Sequence, residues 1–197
     1  MSLRERKIAK KKEEILRSAV RILAEKGYQG TTMEDIAANL LMTKGAVYYY
    51  FRDKQDLLYQ SHQMLLNRSI ENVKYIQQQD ISIEEKLKQS MVVHIEHVIH
   101  EQSGFELMLK PEQFFSEERQ KKMRELQAKY THCFDELIQE GIQMQVFRTL
   151  DKKIARNILF GAMNWVTQWY ATDGKKEKRE IAAVIADYLM LMLLKNN

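Results

Sequence analysis

The chain has 197 residues, 45% hydrophobic and 29% charged, with one cysteine, one proline and seven glycines. That composition excludes an intrinsically disordered chain, a disulfide scaffold and a turn-rich all-β fold, and a single cysteine, Cys133, fits the reducing cytoplasm. The net charge of +4 is lopsided, because residues 1–54 hold twelve Lys and Arg against seven Asp and Glu, a surplus of +5, so a polyanionic partner is expected at that end.

Residues 1–14 are nearly all charge and lack the apolar core of a secretory signal. A helix is expected over 8–26, where Ile15, Ala19, Ile22 and Leu23 recur at i, i+4, i+7 and i+8, with Gly27 as its stop. Thr32 is placed as an N-cap with Asp35 three residues on, a capping box that opens a short helix over 33–40 with Ile36, Ala37 and Leu40 inward. Thr43 can cap a second short helix over 44–50, and Asp53 a long one over 54–75. Two short helices across a tight turn, behind a longer helix, have the spacing of a helix-turn-helix unit. Further helices are expected over 83–100, 116–141, 151–171 and 176–195, with a break around residues 104–111. No strand alternation or internal repeat is visible. The expected fold is all-α, with about nine helices: a three-helix helix-turn-helix domain over 1–54 and a helical body over 55–197. The longest apolar run near the C-terminus, residues 188–194, is far below the ~18 residues that suggest a membrane span, and no membrane partner is expected.

Residues 43–54 read Thr-Lys-Gly-Ala-Val-Tyr-Tyr-Tyr-Phe-Arg-Asp-Lys. A helix entering the major groove needs a slim leading end, which Gly45 and Ala46 supply. It needs side chains that reach base edges and phosphates, which Lys44, Tyr48, Tyr49 and Tyr50 can do. It also needs an anchor, and Val47 and Phe51 lie four apart on one face. Consecutive helical residues point about 100° apart, so three adjacent tyrosines cannot all be core; at least one phenol faces out beside lysines. Packing alone leaves that exposed aromatic unexplained, whereas a nucleic-acid surface uses it. Lys54 and the backbone N–H groups at Thr32 can meet phosphates.

Residues 11–58 resemble the N-terminal domain of TetR-family repressors. The resemblance is carried by I-L-x-x-A-x-x-I-L-x-x-x-G-Y-x-x-T-T at 15–32, by Ile36-Ala37, and by K-G-A-V-Y-Y-Y-F-x-x-K-x-x-L at 44–57. It implies Lys44 and Tyr48 near bases, Thr43, Gly45, Ala46, Tyr49 and Tyr50 along the recognition helix, and Thr32 and Lys54 on phosphates. Met33 stands where some members place a base-reading arginine, and Met cannot donate that hydrogen bond. Leu41-Met42 replaces the usual Gly-containing turn, so a non-Gly residue, Asn39 or Leu40, is expected to carry the turn geometry.

The body shows no phosphate loop, no HExxH, no paired-cysteine metal spacing and no arguable catalytic trio; neither an enzyme nor a cofactor is expected. Residues 157–170 and 181–194 are apolar over most of their circumference, and such helices bury several sides. By resemblance they form a four-helix dimer interface through Ile158, Ala162, Trp165, Trp169, Ile181, Ile185, Tyr188 and Met192; a monomeric core is the alternative. The string G-A-M-N-W-V-T-Q-W-Y at 161–170 resembles a subset of the family concerned with fatty acids or acyl thioesters, and Phe105, Leu107, Met108, Leu109, Phe114 and Phe115 would suit a lipophilic effector such as an acyl-CoA. His94, His97 and His100 repeat at three-residue spacing with Glu101 beside them; surface or pocket-lining histidines are preferred to a metal site. The resulting expectation is a homodimer that binds a palindromic DNA operator and is released from it by a small effector. The competing reading is a DNA-binding protein without ligand or sequence preference.

Overall fold

The computed structural model describes residues 2–100, 115–171, 174 and 176–195. Eight α-helices and one 3₁₀ turn occur among them: α1 Leu3–Gly30, α2 Met33–Asn39, α3 Lys44–Tyr48, α4 Lys54–Gln77, α5 Ile83–His100, α6 Glu117–Gln143, α7 Lys152–Trp165 with the 3₁₀ turn Val166–Gln168, and α8 Lys178–Leu193. The all-α expectation holds. The one β feature among the described residues is an isolated antiparallel bridge between Phe147 and Leu194. The chain divides into two compact units, one from the described residues of 1–65 and 101–124, the other from 66–100 and 125–197. The expected break at 104–111 and five of the six expected lipophilic residues, Phe105, Leu107, Met108, Leu109 and Phe114, lie outside the described residues.

The first unit is built around the stripe legible in α1. Ile15, Leu16, Ala19 and Ile22 meet Met33, Ile36 and Ala37 of α2, Val47 of α3, Phe51, and Leu57 of α4 in one buried cluster. Helices as short as α2 and α3 are unstable alone, so this burial, roughly 1.5–3 kcal/mol per large side chain, is what holds them. The ends are fixed locally. Thr32 and Asp35 form the capping box, with Asp35 N–H donating to Thr32 Oγ1 at 3.0 Å and Thr32 N–H to Asp35 Oδ2 at 2.9 Å. Thr43 Oγ1 accepts from Ala46 N–H at 3.2 Å and Asp53 Oδ1 from Asp56 N–H at 2.7 Å.

Two boundaries differ from the sequence reading. Gly27 does interrupt α1, at φ 68°, ψ 173°, but helical turns run on to Gly30, and at the other end the helix begins at Leu3 behind a capping box of Ser2 and Glu5. The turn after α2 is carried by Leu41, at φ 52°, and not by Asn39 or Leu40. Leu41 N–H donates to Ala38 O at 3.1 Å and Met42 N–H to Ala37 O at 2.8 Å, the paired bonds of a Schellman motif in which glycine is the usual occupant of Leu41's position.

In the second unit α5 packs along α8, and also meets α7 and its 3₁₀ extension. Leu87, Met91, Ile95 and Val98 of α5 and Ala182, Ala186, Met190 and Leu193 of α8 are buried; the alanines permit close axial approach. Arg156 Nη1 donates to Asp135 Oδ2 at 2.7 Å, tying α7 to α6. Helix α7 was expected to reach residue 171, but regular helix stops at Trp165. Five of the six residues Trp165–Tyr170, all but Gln168, are β-branched or aromatic, types that lose side-chain freedom in a helix, and Thr167 Oγ1 donates back to Asn164 O at 3.0 Å.

Candidate nucleic-acid interface

Helix α3 presents one face to the core and the other outward. Val47 and Phe51 are 0% and 1% exposed and supply the anchor. Tyr48 and Tyr49 are 43% and 68% exposed, while Tyr50 is half-buried against the core cluster with its ring edge-on to Tyr49 at 5.0 Å. The three phenols thus divide as helical geometry requires. Gly45 is exposed at the leading end with Ala46 half-buried beside it, and a Cβ built on Gly45 would touch no protein atom within 4 Å. Nothing inside the fold therefore demands a missing side chain there.

Lys44 is exposed and forms an ion pair with Glu34 of α2. That hydrogen bond lowers the Glu34 carboxyl and raises the Lys44 ammonium. Glu34 has no signature in the sequence beyond being an acid in the first turn of α2, and a polyanion reaching Lys44 must displace it. On the same helix Asp35 is held down to about 2, first by its hydrogen bond from Lys26, 2.6 Å away, then by Thr32.

The structure moves two candidates to different work. Met33 is 4% exposed and belongs to the core, so its position offers no base-reading side chain. Lys54 is half-buried. Its ammonium donates to Tyr28 O at 2.8 Å and Thr31 O at 2.9 Å, and stands 4.0 Å from the Tyr28 ring centroid. These bonds satisfy carbonyls at the end of α1 and fix the connector that leads to Thr32; Lys54 is a strut rather than a free phosphate ligand. Thr32 stays exposed at the start of α2.

A neighbouring strut was not legible. Asp56 Oδ1 accepts from Arg119 Nη2 at 2.8 Å, and Asp56 Oδ2 accepts from Arg52 N–H at 3.2 Å. The Arg119 guanidinium also lies 4.9 Å from the Tyr59 ring centroid, and Tyr59 meets Phe115 edge-on. The backbone just after the recognition helix is therefore tied, through one carboxylate, to the first turn of α6.

In the second unit, the candidate dimer residues form an uncovered apolar face. On α7 and its extension, Ile158, Ala162, Trp165 and Trp169 are all exposed, Trp165 at 65%. On α8, Tyr188 is 70% exposed, and Ile181, Ile185 and Met192 are half-buried. The buried stripe of α8 (Ala182, Ala186, Met190, Leu193) lies on a different side from Ile181, Ile185, Tyr188 and Met192, so the helix has two apolar faces and one of them is not covered by the described residues. Beneath α7, His94 Nδ1 is 2.9 Å from the Tyr130 hydroxyl and His94 Nε2 is 2.9 Å from Asn164 Oδ1. Burial depresses His94 to about 4 and pushes the Tyr130 phenol up. His94 is thus neutral, with Tyr130 O–H donating to Nδ1 and Nε2–H donating to Asn164, among the rings of Phe134 and Phe160. Among the described residues no three His, Cys, Asp or Glu side chains gather around a metal-sized position, and no helix is long and apolar enough to cross a membrane.

A helix-turn-helix with an outward-facing second helix defines a DNA-binding regulator. The comparisons with known proteins make the class specific: residues 15–60 match the model of the bacterial regulatory proteins of the tetR family, and residues 80–193 match the Tetracyclin repressor-like C-terminal domain. The chain belongs to the TetR family of transcriptional regulators. It is 27% identical over 183 residues, 91% of this chain and 92% of the other, to the fatty acid metabolism regulator protein of Bacillus subtilis. Its fold matches a TetR/AcrR-family regulator from Thermobifida fusca with TM-score 0.77 and 27% identity, covering 92% of this chain and 97% of that one. It also matches FadR of Bacillus subtilis, solved in complex with stearoyl-CoA, with TM-score 0.72 and 25% identity, covering 91% and 98%.

Proposed function

We propose that this regulator is a homodimeric repressor that binds a palindromic operator through α3 and leaves it when a long-chain acyl thioester or fatty acid binds the body. The observation that carries the effector class is the likeness over nine-tenths of the chain to a fatty acid metabolism regulator, joined to the likeness to a regulator solved with stearoyl-CoA. In this reading residues 1–54 read DNA and 55–197 bind the effector and the second subunit. Lys44, Tyr48 and Tyr49 reach bases, Thr43, Gly45 and Ala46 let the backbone approach, and Thr32 meets a phosphate. Tyr50 sets the angle of Tyr49. Met33 and Lys54 contribute by shaping the head.

The dimer explains the second apolar face. Contiguous exposed patches with two tryptophans and a tyrosine mark association surfaces, and Gly161, where an added Cβ would meet nothing within 4 Å, allows a close helix crossing from the second copy. Two recognition helices related by a twofold axis then meet half-sites about one helical turn, ~34–36 Å, apart. An effector acts only through its differential affinity for the DNA-competent and released forms, and α4, shared by both units, is the natural lever.

The test is a titration of the protein–operator complex with stearoyl-CoA, with free CoA and a short-chain acyl-CoA as controls, read by fluorescence anisotropy. Release by the long-chain thioester alone supports the reading. Release by none of them, or by all equally, overturns the effector assignment.

A further inference from the structure

The first ten helical positions of α1, residues 3–12, carry Arg4, Arg6, Lys7, Lys10, Lys11 and Lys12 against one acid, Glu5. Glu5 is already engaged, accepting from Ser2 N–H at 2.8 Å in the cap of the helix, and Lys11 pairs with Glu14 at 3.0 Å. Arg4, Arg6, Lys7 and Lys10 are exposed and make no ion pair among the described residues. They stand at i, i+3 and i, i+4 from one another: Arg4 to Lys7, Lys7 to Lys10 and Arg6 to Lys10. Like charges at these spacings repel and destabilise a helix by a few tenths of a kcal/mol per pair, roughly 0.2–0.5. Packing does not offset that cost, because Ile8 is the only half-buried apolar residue of the segment and Leu3 is 72% exposed. These turns are held as a helix that repels itself and leans on almost nothing.

A polyanion removes both problems. The cations surround the helix, and only Leu3, Ile8 and Ala9 are apolar, so the segment has no apolar face to seat in a lipid surface. The segment is also joined to the reading head, since Lys12 Nζ lies 5.5 Å from the ring centroid of Phe51, three residues beyond the end of α3. We propose that residues 3–12 are a second DNA-contacting element, gripping the backbone phosphates of duplex that flanks the bases met by α3. The inference rests on the reading of α3 as the base-contacting helix. It makes the protein's footprint longer than the two half-sites and gives it affinity that depends on flank length but not on flank sequence.

The experiment measures operator affinity against salt for the wild-type chain, for R4Q/R6Q/K7Q/K10Q, for the charge-preserving R4K/R6K/K7R/K10R, and for Tyr49→Ala, each on a bare palindrome and on the palindrome with added flanks. Each phosphate contact contributes about 0.9 to the slope of log K on log salt. With half of the four side chains engaged in each subunit of a dimer, the glutamine variant loses about 3–4 from that slope on flanked DNA, and at least about tenfold in affinity near 0.1 M salt. It loses little on the bare palindrome, and its thermal midpoint does not fall, because the charges removed repel one another. The charge-preserving variant keeps the wild-type slope. An unchanged slope in the glutamine variant, with Tyr49→Ala abolishing operator preference, overturns this proposal and leaves the α3 reading intact. Operator preference that survives Tyr49→Ala overturns the α3 reading, and the inference with it. Arm-dependent affinity that is higher for single-stranded RNA than for flanked duplex overturns the assignment of the partner.

Discussion

Replacing Gly141 by alanine sets helix propensity against packing at one position. Gly141 lies near the end of α6, where alanine is favoured over glycine by roughly 0.8–1.0 kcal/mol in a helix interior. Propensity alone predicts a stabilised protein. The structure predicts the reverse, because a Cβ at Gly141 would lie 2.1 Å from Cδ2 and 2.2 Å from Cε2 of Phe147. Phe147 is 1% exposed, and its backbone has little freedom to retreat. Its N–H donates to Gly141 O at 3.0 Å, while Arg148 N–H to Leu193 O at 2.8 Å and Lys195 N–H to Val146 O at 3.3 Å pin the adjoining bridge to the end of α8. Overpacking of this kind costs typically about 1–3 kcal/mol, and a neighbour this fixed puts Gly141→Ala at or above the top of that range, so a net loss of about 2 kcal/mol remains after the propensity gain. For a chain of this length that is a fall of roughly 2–10 °C in thermal midpoint, measured by circular dichroism at 222 nm. In a Phe147→Leu background, where the ring is gone, the same change should cost much less. A midpoint that is unchanged or raised in Gly141→Ala would refute the packing argument.

Leu41 is 97% exposed in the left-handed region, so Leu41→Gly removes strain without opening a cavity and should stabilise the first unit by about 0.5–1 kcal/mol; a lower thermal midpoint would contradict this. Arg119 and Asp56, with side chains 21% and 17% exposed, should show a favourable coupling of about 1 kcal/mol in a double-mutant cycle by urea unfolding, and additive effects would show the strut to be idle. His94 and His97 are both depressed from 6.5 to about 4 by burial. The unfolded chain therefore binds more protons between those values, and stability is full above pH 6.5 and falls as pH drops toward 4, with a slope of up to about 1.4 kcal/mol per pH unit for each. His97→Gln should flatten urea-unfolding profiles between pH 6.5 and 5, before carboxylates titrate; an unchanged slope would refute the assignment. Gly45→Ala meets no protein atom and should keep or raise the thermal midpoint while weakening operator affinity; equal affinity would remove the close-approach role of the α3 backbone.

The head was legible because its signals are local. Capping at Thr32, Thr43 and Asp53, the α1 stripe, and the alternation of Val47 and Phe51 with outward tyrosines all act within a turn or two of the chain. The missed features are those fixed by tertiary contact. Lys54 is drawn to the end of α1 by two backbone carbonyls 23 and 26 residues away, and nothing in its own neighbourhood marks it as a strut. The Arg119–Asp56 pair and the Lys44–Glu34 pair likewise join separate helices. Met33 sits in the first turn of α2, where the resemblance points outward to DNA, yet its long, adaptable side chain fills the core beside Ile36. In the body, apolar residues on most of the circumference of α8 are readable, but only the packed structure sorts them into a face that meets α5 and a face that the described residues leave uncovered. The early end of α7 follows from a cluster of β-branched and aromatic residues, Trp165, Val166, Thr167, Trp169 and Tyr170, whose hydrophobic pattern alone is compatible with a longer helix.

The central claim is that two copies of this chain read a palindrome through α3. Selection of bound duplexes from a random pool at near-physiological salt, run in parallel with the wild-type chain and Tyr49→Ala, tests it most directly. The wild-type chain is expected to enrich one palindrome with half-sites about one helical turn apart, and Tyr49→Ala, which removes a side chain that is 68% exposed, to enrich none. Enrichment of no common site by the wild-type chain in the absence of any bound acyl thioester, or the same palindrome recovered equally by both proteins, would contradict it.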